Sequence, residues 1–195
     1  MFDLLIEGFS SAWLPCSLIV LVPGLATVMA AGDRLPGAVA GFAISATLLS
    51  WLRFAGRGGG WPVIIAALAL IGAVVLLFTR NRVGEDLAAT AAGALAGGAA
   101  AELWEPCVGL EFGRLLNELP DRGPTGLAMM AVFMAGVLGP LIGFVAIVGV
   151  APEWLRDRVQ PVLSVIGGVV LAVMGLATAA GLHDNVVSQL FQWSL

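Results

Sequence analysis

Residues 101–110, AELWEPCVGL, interrupt an Ala/Gly-rich apolar tract with two acids, a proline and one of the chain's 2 cysteines. The other cysteine stands in SAWLPCSLIV, residues 11–20, so Trp13-Leu14-Pro15-Cys16 and Trp104-Glu105-Pro106-Cys107 share one W-x-P-C spacing. A repeated motif that uses every cysteine divides the chain into halves, and the fold reading works outward from that division. Residues 1–86 and 87–195 each offer three apolar spans, open with a W-x-P-C tract and close on a Gly-bearing helix rich in Leu, Val and Ile. Three spans per unit turn the second copy over relative to the first, giving the inverted-topology repeat of transporters, in which function collects on helices interrupted by Pro or Gly.

Composition sets the solvent. With 59% hydrophobic and 11% charged residues and a mean hydropathy of +1.00, the chain has more apolar surface than a water-soluble core of this size can bury. A spanning helix needs about 20 mostly apolar residues, which predicts six spans at roughly 9–31, 38–52, 62–78, 87–116, 127–151 and 161–182. The fourth is long enough to be tilted or broken. Period-2 alternation, the mark of a membrane β-barrel, is absent. The expectation is an all-α, polytopic membrane protein: one membrane domain over 1–195, as two inverted three-helix repeats, in contact with the lipid bilayer. Asp3 and Glu7 precede the first span where a signal peptide would be basic, so that span is expected to stay.

Charge is sparse. Of the 9 basic residues, all arginine, Arg34, Arg80, Arg82, Arg156 and Arg158 fall on the first, third and fifth loops, against Arg53, Arg57, Arg114 and Arg122 on the other side. That slight bias predicts both termini outside. A formal charge of −4 gives no basic footprint for nucleic acid, and the loops are too short for a soluble catalytic domain.

Each W-x-P-C has a mechanical consequence. Proline within a membrane helix frees a carbonyl and tends to break the helix, and it suits the first turn of the next one. Cys16 and Cys107 are then expected one residue into a new helical segment, where a helix N-terminus favours the thiolate. Pro23-Gly24 and Gly139-Pro140 supply further breaks that can serve as hinges. One such cysteine alone reads as a small buried hydrophobe, and two permit a purely structural disulfide. Two motifs in matching places favour function.

The acids near Cys107 leave two readings open. Glu105 or Glu111 accepts a thiol proton, or the fourth span breaks there and Glu102, Glu105 and Glu111 sit at a wet surface, with Glu111 pairing Arg114. Cys, Glu and the lone His183 lack recognisable metal-ligand spacing, so no metal is expected. The tail GLHDNVVSQLFQWSL, residues 181–195, places Val186, Val187, Leu190 and Phe191 on one helical face and is expected to lie along the membrane surface. Gly93-x-x-x-Gly97 permits close helix contact.

The two tracts resemble the CcdA/DsbD-type transmembrane thiol-disulfide exchange family, the cytochrome c biogenesis protein transmembrane region. In GFSSAWLPCSLIVLVPG, residues 8–24, the resemblance rests on Gly8, Ser11, Pro15, Cys16, Leu18 and Pro23-Gly24; in GGAAAELWEPCVGLEFG, residues 97–113, it rests on Gly97, Trp104, Pro106, Cys107, Gly109 and Gly113. Ile19 and Val22 stand where the first motif usually has proline, and Glu105 and Leu110 depart from the second. The resemblance implies a six-span core in the cell inner membrane carrying reducing equivalents: cytosolic thioredoxin reduces a Cys16–Cys107 disulfide, the repeats shift about Pro15, Pro23, Gly24, Pro106, Gly109 and Pro140, and an extracytoplasmic thioredoxin-like protein takes the electrons. Such exchange passes through a mixed disulfide and needs no bound cofactor. If the pair is redox-active the chain is a disulfide oxidoreductase serving cytochrome c maturation. The alternatives are a non-catalytic membrane subunit of a larger complex, and a small-solute or metal exporter on the same scaffold.

Overall fold

Prolines and glycines set where the helices begin and end. The computed structural model describes residues 1–56, 63–79, 84–104, 110–150 and 153–182. Helix α1 (Phe2–Ser11) stops ahead of Pro15, and a 3-10 turn, Pro15–Ser17, leads into α2 (Leu18–Ala31). Gly32, at φ 69° and ψ −128°, ends α2 in a backbone region that only glycine enters freely. A second 3-10 turn, Gly32–Arg34, leads into α3 (Leu35–Phe54), with Pro36 in its first turn. Then come α4 (Val63–Phe78), α5 (Glu85–Leu103), α6 (Leu110–Val137), α7 (Gly139–Val150) and α8 (Glu153–Ala179). Every element among the described residues is helical.

Length and apolarity support fewer spans than the six expected. Leu18–Phe54, which holds α2 and α3 on either side of Gly32, and Asp157–Ala179 are long and apolar enough to cross a membrane. The pair Gly123–Val137 and Gly139–Val148, bent by 54°, adds a third if it is one broken span. At 16 residues, α4 is about 24 Å long, short of the roughly 30 Å hydrocarbon core. Helix α5 falls outside for another reason. Its Ala92, Gly93, Ala96, Gly97 and Ala100 are buried against other helices, so protein rather than lipid is its solvent and bulky apolar side chains are not required.

Several boundaries move from their expected places. The predicted first span is divided between α1 and α2, and the predicted fourth ends as α5 at Leu103, with α6 beginning at Leu110. The polar stretch 117–126, expected as a loop, lies inside α6 and is interrupted only at Gly123 (φ 51°, ψ −127°). A helix can carry Asn117, Glu118 and Asp121 by exposing them on one side while Leu115 and Leu119 face inward. Helix α2, in contrast, runs unbroken through Pro23.

Small residues bring the helices together. Between α3 and α5, Gly41 lies on the Thr90 carbonyl, Gly93 on that of Ala38 and Gly97 on that of Phe42, leaving no room for a Cβ. Arg34 meets Glu85 at one end of this pair and Arg53 meets Ala101 at the other, so α3 and α5 run parallel. Helix α8 runs antiparallel to α2, with Ser164 on Met29 and Gly167 on Ala26. It is also antiparallel to α4, with Gly168 on Phe78 and Gly175 on Leu70. Helix α1 lies on the second part of α6, where Gly8 meets the Phe133 carbonyl and Gly136 that of Leu5.

Candidate functional site

An intact helix satisfies its own backbone, so chemistry in a membrane-type bundle starts where helices break. The first break leads to Cys16. The Leu14 amide donates to the Ser11 carbonyl and that of Ser17 to the Leu14 carbonyl, each at 3.0 Å, winding the chain through a tight turn. Cys16 sits in that turn with 2% of its surface exposed, one residue before Ser17, the N-cap of α2. It is disulfide-bonded, and no cysteine among the described residues is free. Trp13 points outward, 70% exposed, with its ring edge-on to Phe9 at 6.2 Å.

The second break is held from both sides by charged groups of the first half. Helix α5 ends where Trp104 turns extended (φ −77°, ψ 120°), two residues before a proline that cannot continue it. Its last carbonyls are met by one side chain: Arg53 Nη1 donates to the carbonyl oxygens of Ala101 (2.9 Å), Glu102 (2.6 Å) and Trp104 (3.0 Å). On the far side, Glu7 Oε1 accepts the Phe112 backbone N–H at 3.2 Å in the first turn of α6. A cation at a helix C-terminus and an anion at an N-terminus both match the helix dipole.

Under this break lies an aromatic stack. Phe112 and Phe133 are parallel at 3.9 Å, and Trp104 stacks on Phe133 at 6.1 Å. Phe54 approaches Trp104 and Phe112 edge-on. Trp104 is 1% exposed, so the tryptophans of the two matching motifs have opposite surroundings. Its indole Nε1 is buried without a hydrogen-bond acceptor among the described residues.

The other expected site residues distribute as follows. Pro15 opens the 3-10 turn. Pro23 is buried inside α2, and Gly24 is wedged against the Phe42 ring and Leu141. Pro140 lies in the first turn of α7, just after the 54° bend. Glu111 lies in the first turn of α6. Glu105, Pro106, Cys107 and Gly109 lie outside the described residues, as do His183 and the expected interfacial tail. Glu7 and Arg53 were not anticipated. Each is an ordinary charge near the end of an apolar tract, and its partner is far along the chain.

Hollows lined by described residues flank the bundle. One, of about 430 Å³ between α3, α4 and α5, is lined mainly by alanine and leucine, with Ser45 and Glu102 as its polar groups. Another, of about 350 Å³, lies between the Gly32 turn and α8 and is bordered by Asp33, Asp157, Gln160 and Ser164. Among the described residues no three of His, Cys, Asp and Glu come together as a metal site. Comparison of the chain with known protein families, characterised proteins and solved structures gave no match.

Proposed function

We propose that the chain is a multi-pass protein of the cytoplasmic membrane that exchanges thiols and disulfides across it, using Cys16 and Cys107, with both termini outside. The observation that carries this reading is the state of Cys16: buried, at a helix start, and disulfide-bonded. A reduced cytosolic thioredoxin thiolate attacks the disulfide and forms a mixed disulfide; its second thiol then releases oxidised thioredoxin and leaves two chain thiols. The same two electrons and two protons pass to the disulfide of an extracytoplasmic thioredoxin-like protein, and the Cys16–Cys107 bond re-forms.

Six spans in two inverted repeats remain the arrangement that fits this task, and three features support it. The parallel α3 and α5, and the antiparallel placing of α8 on α2 and α4, are the directions that six alternating spans require. Gly32 and Gly123 share an uncommon backbone conformation, and each lies at a repeated D-R-x-P pattern: Gly32 directly before Asp33-Arg34-Leu35-Pro36, Gly123 inside Asp121-Arg122-Gly123-Pro124. The helix preceding each W-x-P-C also packs, through glycine, on the helix that follows the other half's Asp-Arg pair.

The test is a gel-shift count of alkylated thiols in native membranes. Two should be labelled after incubation with reduced thioredoxin and none after oxidation. Cysteines that never enter a disulfide or a mixed disulfide would remove the reading. Glu102 at the 430 Å³ hollow favours one alternative, a solute exporter. That reading predicts ion-coupled flux that survives replacement of both cysteines by serine and collapses with Glu102→Gln.

A further inference from the structure

We propose that Glu7 and Arg53 are positioning residues for this exchange, a pair of opposite charges that hold the two chain ends on either side of the Cys107 segment. The inference rests on the exchange reading and adds residues that the W-x-P-C motifs do not contain. Its basis is a problem of backbone satisfaction. Where α5 stops at Trp104 and α6 starts at Leu110, the last carbonyls and first amides lose their helical partners. In an apolar bundle each such group is costly to leave unmet.

Three of the carbonyls converge on Arg53 Nη1 at 2.6–3.0 Å, and one amide, that of Phe112, reaches Glu7 Oε1 at 3.2 Å. Both side chains come from the first half. Arg53 is in the last turn of α3, which α5 follows closely along its length through Gly41, Gly93 and Gly97. Glu7 precedes Gly8, where α1 touches the α6 backbone at Phe133. Helix α1 also leads directly into the turn that carries Cys16. Glu7 therefore ties the element before one cysteine to the helix after the other, and Arg53 fixes the helix end before it. Together they fix the helix ends between which Cys107 lies in the chain, and so raise the effective concentration of one thiol at the other.

The experiment measures that quantity in the full-length protein in detergent or native membranes, equilibrated in glutathione redox buffers. The reaction is balanced: reduced chain plus oxidised glutathione gives the intramolecular disulfide plus two reduced glutathiones. Glu7→Ala and Arg53→Met should each lower the equilibrium constant at least tenfold. Glu7→Gln, which keeps an oxygen acceptor, and Arg53→Lys, which keeps a cationic donor, should stay within threefold of the parent.

Leu171→Ala, a fully buried site on α8, controls for stability alone and should lower the melting temperature without moving the equilibrium. Should Glu7→Ala not fold, Glu7→Asp, with its carboxylate drawn back by one methylene, makes the same comparison. An unchanged equilibrium constant in the Glu7 and Arg53 variants, or an equal shift in Leu171→Ala, overturns the positioning role. A parent disulfide that forms in glutathione but is never reduced by thioredoxin overturns the exchange reading and leaves the positioning comparison standing. A pair that forms no disulfide overturns both.

Discussion

Trp104 shows how one side chain can hold a helix end in place. Its ring fills the space between Phe54, Phe112 and Phe133, and truncating an aromatic so fully buried costs about 3–5 kcal/mol. Trp104→Ala is therefore expected to reduce the folded fraction severely, read by size-exclusion profile and thermal unfolding in detergent. Trp104→Phe keeps an aromatic plane and removes an N–H that has no acceptor among the described residues. An unmatched buried donor costs about 1–3 kcal/mol, so the phenylalanine variant should lose far less. Ser50 Oγ, also buried and without a partner among the described residues, gives a companion test. Ser50→Ala should be neutral or raise stability by up to about 1 kcal/mol, and a large loss would point to a partner supplied from elsewhere.

Between elements, approach distance separates glycines that cannot be replaced from one that can. Gly97 faces the Phe42 carbonyl with no space for a methyl group, so Gly97→Ala must push α3 and α5 apart, at about 1–3 kcal/mol for overpacking. Gly143 in α7 has no neighbour within 4 Å of the added carbon. Gly143→Ala should instead stabilise by about 0.5–1 kcal/mol, the usual gain of alanine over glycine within a helix. A second contrast concerns the breaks. Gly32 and Gly123 combine positive φ with strongly negative ψ, where any side chain is strained by about 1–3 kcal/mol. Gly32→Ala and Gly123→Ala should each lower the melting temperature, while Gly139→Ala, with only the flexible Phe9 ring in its way, should lower it less.

At the scale of the whole molecule the number of crossings fixes which side of the membrane each loop faces. Reporter fusions after residues 33 and 81 should report the cytoplasm, and fusions after 57 and 183 the opposite side, if six spans alternate with the termini outside. Equal signals from 57 and 81 would mean that α4 does not cross, leaving the two or three spans that helix length and apolarity support. Large apolar side chains suited to lipid are spread over the helices: Phe2, Ile44, Leu68, Ile147, Val169 and Leu176 are all more than half exposed. Carbonate-resistant sedimentation with the membrane fraction is accordingly expected for the full chain.

Much of this was written along the chain. Composition and the absence of period-2 alternation implied apolar helices, and Pro15 and Pro106 marked breaks ahead of which α1 and α5 stop. Helix directions, close contacts and satisfaction of the broken ends were decided only in three dimensions. Arg53 read as a loop charge and Glu7 as an acid before the first span, since nothing local ties a residue to backbone groups roughly 50 or 100 positions away. The stretch 117–126 read as a loop on its arginine, glycines and prolines, yet the helix carries Pro120 and Pro124 and is interrupted only at Gly123. What the sequence determined by itself was the solvent and the punctuation, both properties of single residues and their neighbours. What the tertiary structure decided was which helix end each charge reaches, because an unmet carbonyl or amide is satisfied by whatever the packing brings within 3 Å or so of it.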